Sequence, residues 1–350
     1  MFLYTGAYTK PPQGRAAGIG VYRFDPETGN LDHVQTVGDI VNPSYLAVGA
    51  RERNLYAVAE TEGEGSVVAY TRDPKSGTLR ELNRQASRGA GPCHLSIDAS
   101  GQFVLVANYG GGSIAALPIA DDGSLQPATG MIQHEGSSIN PDRQREPHAH
   151  MIAPSPDGRF VFATDLGIDR VIAYTLDAAG QLIPVPDAGA SAEPGSGPRH
   201  FAFAPDGETM YVINELTSTL TAFAYDAESG RLELGQTVST VPDGFSGINW
   251  CAHVVVSPDG RFVYGSNRGH DSIAIWAVDG EDGQLSSLDH VPSGGETPRN
   301  FTLDPSGAWL LVANQDSDNV VVMGRDAQTG LLADPTAIVD VPTACCLVFA

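Results

Sequence analysis

Lysine is nearly absent from this sequence. Lys10 and Lys75 are the only two in 350 residues, and every other basic side chain is arginine. Cysteine is sparse as well: Cys93, Cys251, and the adjacent Cys345 and Cys346. One neighbouring pair and two scattered thiols make a poor disulfide framework, which points to a reducing cytosol. No apolar run approaches the roughly 20 residues that a membrane helix needs. The start, Met1-Phe2-Leu3-Tyr4-Thr5-Gly6, reads as a strand without the basic segment of a signal peptide, so a cytoplasmic location is expected. Amphipathic helical periodicity is missing throughout, which excludes alternating strand–helix folds. Positive charge is also in deficit. The formal net charge of −22 argues against nucleic acid and anionic membranes as partners. An anionic substrate would therefore need local arginines to reverse the field.

What is abundant is turn chemistry. The 40 glycines and 24 prolines suit an all-β protein. A D-x-x-x-G-x-L turn recurs at Asp25–Leu31, Asp73–Leu79, Asp226–Leu232, Asp279–Leu285 and Asp326–Leu332, with shortened forms at Asp121–Leu125 and Asp177–Leu182. A second marker glycine (Gly101, Gly158, Gly207, Gly260, Gly307) is followed seven residues later by Asn108, Asp165, Asn214, Asn267 or Asn314. Each unit reads as strand, tight turn, strand, short loop, strand, Asp-Gly turn, strand. Seven such units over residues 1–350 predict one all-β domain, a seven-bladed β-propeller of four-stranded antiparallel blades. The chain opens in what is elsewhere a second strand and ends in an unpaired first strand. Pairing the two ends would close the ring and remove its exposed edges.

Two insertions, His134–Glu146 and the segment around Asp243–Trp250, fall between one unit's fourth strand and the next unit's first. In a propeller those loops share a face with the loops between strands two and three, which makes that face the expected binding face.

Comparing units separates scaffold from chemistry. The recurring Asn/Asp at the end of strand two reads as structural, capping the turn that follows. The next position varies: Tyr8, Tyr109, Leu166, Glu215, Arg268, Gln315. The unit holding Glu60-Thr61 breaks the Asn pattern. At the start of strand one, His94, His200 and His253 repeat, which suggests packing with a ring N–H bonded to backbone. The place just before them reads Cys93, Arg199, Ala252 and Arg299, and His150 falls in that variable place. The outliers form the candidate site: His150, Arg199, Glu215, Arg268 and Arg299, with Arg143 or Arg145 reaching over from the first insertion. His148 lies two residues from His150, on the same side of a strand. His-x-His can begin a metal site; the sequence offers no clear third ligand at metal spacing, although Glu215 or Asp165 could approach in space. One imidazole, one carboxylate and several guanidiniums suit an anionic acyl or lactone substrate, because Arg binds carboxylate and phosphate in a bidentate fashion and His titrates near neutrality.

At Gly91-Pro92-Cys93-His94, Pro147-His148-Ala149-His150, Asp165-Leu166-Gly167-Ile168-Asp169-Arg170, Pro198-Arg199-His200, Asn214-Glu215-Leu216, Asn267-Arg268 and Thr297-Pro298-Arg299 the chain resembles the seven-bladed propeller lactonases. That family includes bacterial 6-phosphogluconolactonase and fungal carboxy-muconate cyclase. The resemblance implies a cofactor-independent enzyme acting on a lactone ring, as hydrolase or cyclase, with His150, Arg199, Glu215 and Arg268 as active-site residues. His148, Arg299, Arg143, Arg145, Tyr109 and Gln315 are then the expected substrate contacts. The expected partner is a small anionic lactone, and the expected state is a monomer or weak homo-oligomer. Two other readings stay open. Pro258–Asn267 also looks like the repeat of surface-layer interaction propellers. A calcium-dependent sugar-lactone hydrolase would gather carboxylate and Asn ligands such as Glu60, Asp165 and Asn214 at the axis.

Overall fold

A computed structural model describes residues 1–280 and 283–350. It contains seven antiparallel sheets, each built on four strands. The seven innermost strands, Leu46–Val48, Pro92–Ile97, Ala149–Pro154, Pro198–Phe203, Trp250–Val256, Pro298–Leu303 and Ala344–Phe349, contact one another in a ring around the axis. The ring closes as the sequence predicts. Phe2–Ala7 pairs with Ala344–Phe349, Leu3 facing Phe349 and Thr5 facing Leu347. One blade departs from four strands: Ala190–Ser191 adds a two-residue fifth strand beside Arg170–Leu176.

The second strands are buried on both faces. Phe103–Asn108 is buried at every position, whereas the outer Leu232–Ser239 buries chiefly its first residue. The reason is packing between blades. Seven apolar clusters lie one at each junction of neighbouring blades, such as Phe162, Phe201, Met210, Phe223 and Tyr225 between two of them. A strand inside a blade therefore faces a junction on either side, and runs of Val, Ile, Ala and Tyr satisfy both.

The Asp-Gly turns behave as their chemistry requires. Gly29 N–H donates to the Asp25 carbonyl at 2.8 Å, and the Asp25 carboxylate accepts from Glu27 N and Thr28 Oγ1. Gly29 has φ of +74°, open to glycine at no steric cost. In the Asp279–Leu285 turn, residues 281 and 282 lie outside the described residues.

The strand-two Asn residues do something other than cap their own turns. Asn108 Nδ2 donates to the Ser87 carbonyl and Ser113 Oγ, and Asn267 Nδ2 to the Thr240 carbonyl and Ser272 Oγ. They fasten strand two to strand three and to the end of the preceding blade's fourth strand. Only Asp165 also caps locally, accepting from Gly167 N at 2.9 Å.

Candidate active site

Two rings of side chains surround one mouth of the axial shaft, and the backbone defines each. The first ring comes from β-bulges. In four inner strands the register skips one residue: Cys93, His150, Arg199 and Arg299 have no partner across the ladder. Cys345 is skipped in the closing strand. A bulge breaks the in–out alternation and re-aims the extra side chain. Here the extra residues gather around the shaft with Ser44, Tyr45 and Tyr8 in a narrow cavity.

The second ring follows strand two. Its members donate their backbone N–H to the chain entering the inner strand: Tyr8 to Thr343, Glu60 to Asn42, Tyr109 to Gly91, Leu166 to His148, Glu215 to Gly197 and Gln315 to Thr297. Arg268 fills the equivalent place, opposite Trp250. Glu60 thus occupies the same position as Glu215, three blades away around the ring. Unit comparison missed this. Ala59 stands where the marker Asn should be, so the register was lost in that unit, although the backbone hydrogen bond preserves it.

Glu215 is held by three guanidiniums. Arg143 Nη2 donates to Oε1 at 2.6 Å; Arg268 Nη2 and Arg199 Nε donate to Oε2 at 2.7 and 3.0 Å. Burial opposes the charge, but Arg268, Arg199 and Arg143 together outweigh it and hold the carboxyl well below the usual range. The arginines are themselves fixed. Arg199 Nη1 also donates to the Ala252 carbonyl, and Arg268 to the carbonyls of Cys251 and Trp250. Arg143 additionally reaches the Tyr109 hydroxyl at 3.2 Å.

Arg143 arrives on the first insertion, which is pinned at both ends. His134 Nδ1 meets buried Asp165 at 2.6 Å and its Nε2 meets the Tyr174 hydroxyl at 2.9 Å. Buried Gln144 donates to the Leu166 carbonyl and to Asp169 Oδ1, both at 2.8 Å. Arg145 does not join. It is exposed and bonds the Pro141 carbonyl of its own loop, outside the cluster on Glu215. The second insertion sends no charged side chain into the cluster. It ends at the Trp250 and Cys251 carbonyls that orient Arg268.

His150 lies in the shaft, 5% exposed, edge-on to Tyr109 and His200. It makes no direct hydrogen bond to Glu215. Arg199 stands between them, bonding the carboxylate and lining the same cavity as the imidazole. Burial, then the Arg199 charge, pushes the imidazole well below its ordinary value, so it is neutral at pH 7. The Cys93 thiol donates to the His150 carbonyl at 3.4 Å; burial raises it, which makes it no nucleophile. His148 stacks on Tyr109 with centroids 4.5 Å apart and bonds its carbonyl at 3.0 Å, so it positions Tyr109 from behind.

The repeated histidines are not bonded to backbone through their N–H groups as expected. His200 Nδ1 lies 2.7 Å from His253 Nδ1, and His94 Nδ1 accepts weakly from Ile152 N. Both nitrogens of the short contact cannot donate, so one neutral ring donates and the other accepts. Of the calcium reading's ligands, Asp165 is already taken. It is committed to His134, His148 N and Gly167 N, while Asn214 Nδ2 donates to Thr219 and Thr221 and its Oδ1 is buried without a partner among the described residues. Among the described residues, no three His, Cys, Asp or Glu side chains are placed to hold a metal ion.

Outside the shaft a cleft of about 640 Å³ opens over the ring. Tyr8, Glu60, Tyr109, Arg299, Gln315 and Lys10 help line it. It is the larger space, yet it does not touch His150 or Glu215; Tyr8 and Arg299 line both cavities and connect them. Arg299 has no salt-bridge partner among the described residues and donates to the Tyr8 hydroxyl at 3.1 Å. Four guanidiniums and Lys10 therefore face three carboxylates, Glu215, Glu60 and Glu62. The mouth is positive in an otherwise acidic molecule, as an anion site requires.

A family model described as "Lactonase, 7-bladed beta-propeller" matches residues 2–349. The chain belongs to the seven-bladed β-propeller lactonase family. Among its relatives in that family, a 6-phosphogluconolactonase of Bacillus subtilis is 37% identical over 99% of this chain and 97% of the relative. One of Formosa agariphila is 34% identical over 94% of each. The solved structure of the Pseudomonas aeruginosa periplasmic gluconolactonase PpgL superposes with a TM-score of 0.93 at 35% identity, covering 99% of this chain and 98% of that one.

Proposed function

We propose that this lactonase hydrolyses a sugar lactone carrying an anionic group, with 6-phosphogluconolactone as the first candidate. The supporting observation is the positive surplus at the mouth: Arg299, without a salt bridge among the described residues, beside three arginines gathered on Glu215. Relatives named for gluconolactone and its 6-phosphate support the chemical class.

In this reading, neutral His150 takes a proton from water as its oxygen attacks the lactone carbonyl. Glu215 is too strongly paired to be the base; it holds the arginines in position. Arg199 and Arg268 stabilise the developing oxyanion, an effect typically worth about 10²–10³ in rate. Arg299 and Lys10 bind the substrate's phosphate from the cleft. The ring C–O bond then breaks, leaving a hydroxy acid whose carboxyl ionises.

The test is a pH-controlled hydrolysis assay with 6-phosphogluconolactone beside gluconolactone. The expected result is enzyme-dependent hydrolysis with strong preference for the phosphorylated compound. Equal rates would remove the phosphate assignment, and no rate above spontaneous hydrolysis of either would remove the whole reading.

A further inference from the structure

Ring opening leaves an alkoxide that needs a proton, and the His150 pole supplies only an acceptor. We infer that Glu60 is the general acid that protonates the departing ring oxygen. This rests on the lactone-hydrolysis reading and deepens it.

Three observations carry the inference. Glu60 occupies the ring position of Glu215 three blades away, and its partners Tyr8 and Ser44 line the shaft cavity that holds His150 and Arg199. It lines the large cleft, where a substrate would enter. Its partners are hydroxyls instead of guanidiniums: Ser44 Oγ bonds Oε2, and the Tyr8 hydroxyl lies 3.2 and 3.4 Å from its oxygens. Among the described residues it has no salt bridge. Glu215 is locked as an anion, whereas Glu60 is free to exchange a proton. Such a divergence between two carboxyls of one site is how acid and counter-ion roles are divided.

The groups facing Glu60 are Tyr8 and Ser44, with Arg299, Arg199 and the thiols of Cys93 and Cys345 beyond them; Lys10 and Glu62 share the cleft. Burial raises its pKa and dominates over the lowering by Ser44, Arg299 and Tyr8. The step balances. Water oxygen bonds to the carbonyl carbon and its proton passes to His150. The ring C–O bond breaks and its oxygen takes the Glu60 proton. The carboxylate formed is received by Ser44, Tyr8 and the nearby Arg299 charge. Imidazolium returns its proton to solvent, and Glu60 regains one.

The test compares Glu60→Gln and Glu60→Asp with the wild-type protein on whichever lactone the assay above shows it to hydrolyse. An acid works only while protonated, so activity must fall as pH rises through its raised pKa. The expected result for Glu60→Gln is a kcat lower by about 10²–10⁴-fold, little change in KM, and a flattened alkaline limb of the pH profile. Glu60→Asp should restore the limb. A Glu60→Gln kcat within twofold of wild type, or a loss over an unaltered pH profile, overturns the inference. Failure of the wild-type protein to hydrolyse any lactone instead overturns the reading on which it rests.

Discussion

Glu215 and Glu60 hold the same place in the repeat, and their surroundings make them opposites. Glu215 has three arginines, two of them (Arg199 and Arg268) presented by a bulge and a strand end in and beside its own blade, and one (Arg143) brought by an inserted loop. Glu60 has two hydroxyls and, at a remove, Arg299 behind Tyr8 and the more distant Arg199. A repeat fold fixes where a side chain stands. It leaves protonation to neighbours on other blades, so one scaffold position yields both a permanent anion and an exchangeable acid.

The most severe way to break the contrast is to neutralise the locked pole. Glu215→Gln would leave Arg199 and Arg268, both nearly buried, facing each other without a counter-charge. Removing one partner of a buried pair commonly costs about 3–5 kcal/mol. We expect denaturant unfolding to show a loss of that order and lactone turnover to fall by at least 10²-fold. A variant with near wild-type stability would mean that water already screens the cluster.

Much of this contrast was legible in the sequence, and the missing part has a physical cause. Asp-Gly turns and the alternation of apolar strands are local, so seven blades and their closure follow from spacing alone. Arg199, Glu215, Arg268 and His150 stood out because each departs from a pattern repeated around it. Glu60 was hidden because Ala59 replaced the Asn that marks the register, while the true marker is a backbone hydrogen bond to Asn42. The bulges leave no residue signature either. Arg143 and Arg145 could not be separated, since which one reaches Glu215 depends on how Gln144 and His134 anchor the loop.

Acid titrates the shaft beneath both poles. His94, His150 and His200 are pushed well below the ordinary imidazole value by burial and neighbouring positive charge, and His253 down to about 3 by burial and Arg199. In the unfolded chain these imidazoles protonate near 6.5. Below that pH the unfolded state binds protons that the folded state refuses, so stability falls as pH falls. Each such group contributes up to about 1.4 kcal/mol per pH unit in that window. The melting temperature should decline steadily from pH 6.5 toward 5. A flat profile over that range would show that the imidazoles charge in the folded state.

The smallest effects separate two arginines on one loop. Arg143 is partly exposed, with its side chain 32% accessible, and contributes one of three charges on Glu215. Arg143→Ala leaves Arg199 and Arg268 in place, so the carboxylate stays ionised and the fold should be nearly unaffected. What it removes is the bridge from Glu215 to the Tyr109 hydroxyl at the rim of the cleft. Losing a charged contact to an anionic substrate, or the order of the rim, should weaken binding more than chemistry. A KM raised roughly tenfold with kcat changed less than threefold matches one lost charge-assisted hydrogen bond of about 1.5 kcal/mol. Arg145→Ala deletes an equal charge two residues away. That side chain touches only its own loop, and through solvent its field is screened within about 8–10 Å at physiological salt. Its kcat and KM should stay within twofold of wild type. Equal effects from both substitutions would mean that the loop acts through net charge, and that the Arg143–Glu215 contact is incidental to binding.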